Sequence, residues 1–119
     1  RAALVVLPSD REGFGLPVVE ALACGAPVLA SDLPVLREVG GSAAEFAAAG
    51  DRDSWARAAA RMIREKSEHS HVWQARRDRG LAWTSRFSWS QFARELADVY
   101  RNVAGVRADS QRASEPCHV

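Results

Sequence analysis

Two carboxylates bracket a glycine-rich turn near the start of the chain: Glu12, then Gly13-Phe14-Gly15-Leu16, then Glu20 eight positions after the first. A loop of this kind ahead of a helix holds backbone amides without intrahelical partners, and together with the helix dipole they favour an anion. Two glycines let the backbone approach a ligand closely. Pro17 supplies no amide hydrogen, so the donors toward a phosphate are those of Phe14, Gly15 and Leu16, with Val18 beside them. Glycine loops of this length also serve as plain turns, and on this piece alone both readings stand. Paired acids do glycosidic chemistry when they face one bond at a fixed separation, which spacing along a chain does not supply. Glu20, near a helix amino terminus, gains about 0.3 to 1 kcal/mol from the dipole without any function. Glu12 fits a solvated loop equally well.

These residues need a frame, and the surrounding pattern provides one. The apolar run Ala2 to Leu7 reads as a buried parallel strand, stopped by the turn cluster Pro8-Ser9-Asp10. Pro17 opens a helix to about Cys24, and Gly25 fits the position just past its end. Within it Val18, Ala21 and Leu22 face a sheet, whereas Glu20 and Cys24, four apart, share another face. Pro27 to Ala30 is a second strand, closed by Ser31-Asp32-Leu33-Pro34. Strand, helix and strand in so few residues imply a crossover in a parallel sheet, with both loops at the edge where such sheets bind ligands. A helical turn at 35–39 and a third strand near 44–47 follow. Asp51 reads as an N-cap for a helix over 53–65, with Trp55, Ala59, Met62 and Ile63 inward and Arg57, Arg61 and Arg64 outward. A further helix covers 70–83. The last starts at an N-capping Ser88 and runs a stripe of Trp89, Phe92, Ala93, Leu96, Val99, Tyr100 and Val103 that reads as core. The fold class is therefore α/β, a partial Rossmann-like parallel sheet with flanking helices. Residues 1–104 are its domain, and 105–119 read as a disordered tail.

Composition narrows the function classes. Sixteen Lys and Arg against fifteen Asp and Glu give a net charge of +1 over 119 residues, which argues against nonspecific nucleic-acid binding. No apolar run approaches the roughly 20 residues of a membrane span. Two cysteines, Cys24 and Cys117, suit a reducing compartment, and the chain reads as cytoplasmic. Cys24 reads as an inert packed thiol. His69 and His71 sit two apart with no neighbouring ligand cluster, so no metal is expected. Arg76-Arg77-Asp78-Arg79 with Trp73, Trp83 and Arg86 suits a solvated helix face, with peripheral contact to an anionic membrane as the alternative. The opening Arg1-Ala-Ala-Leu-Val-Val reads like the middle of a longer protein and not like a signal peptide.

The unbroken string from Pro8 through Glu12-Gly13-Phe14-Gly15-Leu16-Pro17-Val18-Val19-Glu20 to Cys24-Gly25-Ala26-Pro27-Val28-Leu29-Ala30-Ser31-Asp32 resembles the donor-site signature of the family 4 (group 1) retaining glycosyltransferases of the GT-B fold. The likeness continues through Pro34 to Ala44 and returns at Arg86-Phe87-Ser88-Trp89. It implies the carboxy-terminal, donor-binding part of an enzyme that moves a sugar from a nucleotide sugar to an acceptor. It implies further that Glu12, the catalytic candidate, contacts hydroxyls of the transferred sugar, that Gly13, Phe14, Gly15 and Leu16 meet the sugar and distal phosphate, and that Glu20 holds the ribose. No side-chain nucleophile and no cofactor are implied, since the leaving phosphate itself takes the acceptor proton. This suits a loop with no Ser-His-Asp or Cys-His set beside it.

Two departures qualify the resemblance. The Arg and Lys that clamp the diphosphate in the family, and the acceptor domain, lie upstream of anything in this sequence, so the isolated chain is expected to be inactive, to need a missing amino-terminal domain or subunit, and to expose part of the stripe at 89–103, since the family's last helix crosses back toward that domain. Ala47-Ala48-Ala49-Gly50 stands where the family commonly has a proline. The alternative to a glycosyltransferase portion is a truncated, non-catalytic module that binds a nucleotide sugar or a partner chain.

Overall fold

Residues 2–105 are described by a computed structural model. The described residues fall into two units, 2–86 and 87–105. The first unit runs β1 (Val5–Leu7), α1 (Leu16–Ala23), β2 (Val28–Ser31), α2 (Pro34–Gly40), β3 (Glu45–Ala47), α3 (Arg52–Glu68) and α4 (Ser70–Thr84). The α/β class and the parallel sheet are as the sequence indicates. The strand order is β1-β2-β3, every pairing is parallel, and the register sets Val5 against Val28 and Leu29 against Glu45.

The central strand β2 is buried throughout, as expected of Val-Leu-Ala-Ser between two neighbours and two covered faces. Leu29 and Ala47 form a core cluster with Met62 of α3, flanked by Leu4, Trp55, Ala58 and Ala59. Ile63, expected inward, is half exposed, because the apolar stripe of α3 centres on Met62 and Ile63 stands about 100° around the helix from it. Arg57, Arg61 and Arg64 are exposed as expected.

Element ends follow their punctuation. Helix α1 closes in a Schellman turn: the Gly25 amide donates to the Leu22 carbonyl and the Ala26 amide to the Ala21 carbonyl, with Gly25 at φ +69°. Pro34 opens α2, and the Asp51 carboxylate caps α3 by accepting from the Ser54 amide. After β3, Gly50 at φ +81° makes the turn and the Trp55 indole donates to the Ala48 carbonyl. Strand β1 is shorter than the apolar run that predicts it, because only Val5–Leu7 find partners on β2.

Helix α4 braces the other elements. Its Trp83 indole donates to the Val39 carbonyl at 2.7 Å, and the ring lies so close to Gly41 (φ +50°) that a Cβ there would sit 2.2 Å from it. Gly80 leaves a Cβ position only 3.1 Å from Leu22 of α1, so these helices meet closely. Arg76 makes a two-pronged pair with Glu65 of α3, both contacts 3.0 Å, and reaches Glu45 of β3 at 3.2 Å. Burial works against its charge, yet the hydrogen bonds and charges of Glu65 and Glu45 hold the guanidinium above its ordinary pKa.

The second unit contributes α5 (Trp89–Val103), capped by Ser88 accepting from the Gln91 amide. Its stripe reads in the sequence as core, with part of it exposed where the other domain is missing; Trp89, Phe92, Leu96, Val99, Tyr100 and Val103 are all exposed. The physical reason is that, among the described residues of its unit, no second element covers the amphipathic face of this helix. The tail reading for 105–119 falls, from residue 106 onward, outside the described residues.

Candidate functional site

In a parallel sheet the loops after the strands gather at one edge, and here they are residues 8–15 after β1, Asp32 and Leu33 after β2, and residues 48–51 after β3. The first loop carries the candidate residues, and Gly15 anchors it. Gly15 is the N-cap of α1 in a left-handed conformation (φ 90°, ψ 36°), and a Cβ added to it would lie 2.5 Å from a methyl of the fully buried Leu36. Both the backbone angle and the packing therefore require glycine. Gly13 is different, with nothing within 4 Å of its would-be Cβ.

The cap sets the amides at the start of α1. Val18, counted among the anion donors in sequence, gives its N–H to the Gly15 carbonyl at 3.0 Å and is withdrawn from that set. The amides of Gly15 and Leu16 take part in no hydrogen bond among the described residues. Phe14 and Leu16 are half exposed beside them.

The two carboxylates differ in setting. Glu12 is half-buried, and the Ser9 hydroxyl donates to its Oε1 at 2.7 Å while Oε2 has no partner among the described residues. Glu20 stands exposed on α1, and its carboxylate has no hydrogen bond or ion pair among the described residues. It opens on a cleft of about 550 Å³, lined by Val5, Pro17, Ala21, Cys24, Trp73 and Arg77 among others. Glu12 does not line that cleft, so the structure sets both carboxylates along one strand-loop-helix unit without placing them in one cavity.

Two neighbours were misread in the sequence. Cys24, expected packed, is exposed, because it is the C-cap residue at which α1 turns away. Arg77, expected on a solvated face, donates from Nε to the Gly25 carbonyl at 2.8 Å and secures the same helix end. Only the pairing of each basic residue with a distant carbonyl or carboxylate separates Arg76 and Arg77 from the exposed Arg79, and no local pattern in the Arg-Arg-Asp-Arg run reports it. The Arg86 guanidinium lies 4.4 Å from the Trp83 ring centroid.

At the second loop Arg37 grips Asp32 through Nε and Nη2, and its guanidinium lies over the Phe46 ring at 5.0 Å. The Arg37 hydrogen bond, reinforced by its charge, holds the Asp32 carboxyl below its ordinary pKa. The pair ties the β2–α2 turn to β3. No group of three or more metal-ligating side chains occurs among the described residues, and no helix there is long and apolar enough to cross a membrane.

Comparison with known proteins adds an independent line. The family model described as "Glycosyl transferases group 1" matches residues 1–79. The O-antigen chain mannosyltransferase B of Escherichia coli is 36% identical over 101 residues, covering 84% of this chain and 25% of that protein. A D-inositol 3-phosphate glycosyltransferase of Streptosporangium roseum is 35% identical over 111 residues, covering 91% and 24%. Among solved structures, the sucrose-phosphate synthase of Thermosynechococcus elongatus superposes with a TM-score of 0.77 at 26% identity, over 89% of this chain and 26% of that one. The chain thus spans about a quarter of the length of the relatives it matches.

Proposed function

The chain belongs to the group 1 glycosyl transferases, and from that premise we propose that its strand-loop-helix unit is the donor-binding part of a retaining GT-B enzyme that transfers a sugar from a nucleotide sugar. The observation that carries this reading is the Gly15 cap. It holds the Gly15 and Leu16 amides without partners at a helix amino terminus, between a carboxylate oriented by Ser9 and a second carboxylate with no partner. A diphosphate suits such amides, because they present partial positive charge already aimed and not engaged by other groups among the described residues.

Each carboxylate then has a separate task. Glu12, whose Oε2 is open, accepts from hydroxyls of the transferred sugar, and its negative charge is favoured most when positive charge develops on the ring as the bond to phosphate breaks. Glu20 accepts from the ribose, whose bonding does not change during transfer, so it contributes equally to ground and transition states. The departing phosphate takes the acceptor proton, and its charge is met by the amides and by cations supplied from elsewhere in the enzyme. The test is steady-state kinetics of the protein expressed from its complete native reading frame. Glu20→Gln should mainly raise the donor KM and Glu12→Gln should mainly lower kcat, each by roughly ten- to a hundredfold, the loss of a charged hydrogen bond of about 1.5 to 3 kcal/mol. Equal effects on both parameters, or unchanged turnover in the Glu12 variant, would refute the division of roles.

A further inference from the structure

Gly15 anchors the end of the loop that carries Glu12, but positions 9–13 have little of their own to hold them. Among the described residues, positions 9–13 make no hydrogen bond other than the one from the Ser9 hydroxyl to Glu12 Oε1 at 2.7 Å. Both partners are half-buried, whereas Asp10, Arg11 and Gly13 around them are exposed, and Gly13 has open space on its Cβ side. A glutamate on such a loop, left to itself, samples several rotamers, and the loss of that freedom on binding counts against any ligand or transition state that needs one of them. The serine removes the problem before a ligand arrives. It engages one carboxylate oxygen by a charge-assisted bond and leaves Oε2 without a partner.

We propose that Ser9 is a positioning residue that fixes the Glu12 carboxylate in its reactive orientation, with Oε1 tethered and Oε2 presented to a hydroxyl of the donor sugar. The inference rests on the reading of Glu12 given above. It adds that Ser9 acts through Glu12 and not through the stability of the loop. A serine three residues from a glutamate can also be a simple turn contact, and the two roles differ in what the loss of the hydroxyl moves. A turn contact acts through the stability of the loop and lowers the unfolding midpoint, whereas a positioning contact acts on kcat, and only while Glu12 is present.

The experiment is a double-mutant cycle in the protein from its complete native reading frame, following release of nucleoside diphosphate from GDP-mannose, UDP-glucose and UDP-N-acetylglucosamine. Ser9→Ala should lower kcat about tenfold with the donor KM changed by less than about twofold, and Ser9→Thr, which keeps the hydroxyl, should restore most of the rate. In a Glu12→Ala background Ser9→Ala should change kcat by less than about twofold. The same proportional loss in both backgrounds, a loss confined to KM, or a Ser9→Ala urea midpoint lowered along with the rate would overturn the proposal in favour of a structural role. If Glu12→Gln lowers turnover while Ser9→Ala does not, the Glu12 assignment survives and the Ser9 proposal fails. If the wild-type protein turns over none of the three donors, or if neither variant has an effect, the donor-site reading falls and this proposal with it.

Discussion

Replacing Gly15 by alanine tests the loop where the structure makes its sharpest demand. The new Cβ meets two separate penalties. At φ +90° an L side chain is strained by about 1 to 2 kcal/mol. Its Cβ would also stand 2.5 Å from a Leu36 methyl, a contact that forces a shift in a core residue that is 0% exposed, and overpacking of that kind costs about 1 to 3 kcal/mol. The smaller entropy of the unfolded alanine chain returns about 0.4 to 1 kcal/mol. The net expectation is a loss of about 1 to 5 kcal/mol. Gly13→Ala, two residues away, is the internal control: with no neighbour within 4 Å and no positive φ it should be neutral or slightly stabilising.

The two penalties can be separated by a third substitution. Leu36→Val removes the methyl that the new Cβ strikes and by itself should cost about 1 kcal/mol. In that background Gly15→Ala should retain the backbone strain and lose the clash, so the pair should couple by about 1 to 3 kcal/mol. Urea unfolding of the purified 119-residue chain at low concentration, followed by tryptophan fluorescence, reads these differences as midpoint shifts on the order of 1 M. A Gly15→Ala midpoint within about 0.5 kcal/mol of Gly13→Ala would refute the packing argument, and a loss unaltered by Leu36→Val would assign it all to the backbone angle.

Arg76→Ala should destabilise the chain by about 2 to 4 kcal/mol, because it strands Glu65, whose side chain is 12% exposed, while Glu45 keeps Arg61. Replacing Arg76 and Glu65 together by leucine should cost less than the single change, and an additive result in the same urea assay would contradict the pairing. The Asp32 carboxyl should titrate below its ordinary 3.8, and Arg37→Gln should return it toward that value, both read by NMR. Since the folded pKa is the lower one, the stabilisation from this pair is complete above the ordinary value and disappears as the pH falls through the folded one. A carboxyl that titrates at 3.8 or above in the folded chain would deny the interaction.

What could be read in the sequence was mostly punctuation. Pro17 and Gly25 bound α1, Pro34 opens α2, and Asp51 and Ser88 cap α3 and α5. These are local choices that a residue makes with its own backbone, so they survive in any tertiary context. Strand length is not local: Ala2 to Leu4 are as apolar as Val5–Leu7, yet only residues opposite a partner on β2 join the ladder. The fate of the basic run 76–79 was illegible for the same reason, since Glu65 and the Gly25 carbonyl lie 11 and 52 positions away from the arginines they engage. The Ser9–Glu12 contact was legible in principle. A hydroxyl three positions before a carboxylate is a known pairing distance in turns, but Pro8-Ser9-Asp10 already accounted for itself as a strand terminator.

The candidate residues occupy positions 12 to 20, yet little in that stretch determines where they stand. Gly15 holds the left-handed cap with Leu36 of α2 packed against the place a side chain would take. Helix α2 is in turn fixed at its end by Trp83, whose indole takes the Val39 carbonyl and whose ring fills the space a side chain at Gly41 would need. Helix α1, which carries Glu20, is gripped at its other end by Arg77 and meets α4 at Gly80. Helix α4 therefore touches no candidate ligand group through Trp83 or Gly80, but it sets the angle between the two helices that frame the loop. A donor-site motif transplanted without residues 77 to 83 would keep its amides and carboxylates and lose their mutual geometry. Displacements of about 1 Å are enough to cost a site on the order of a hundredfold in rate, so the motif's chemistry depends on this helix as much as on the loop that displays it.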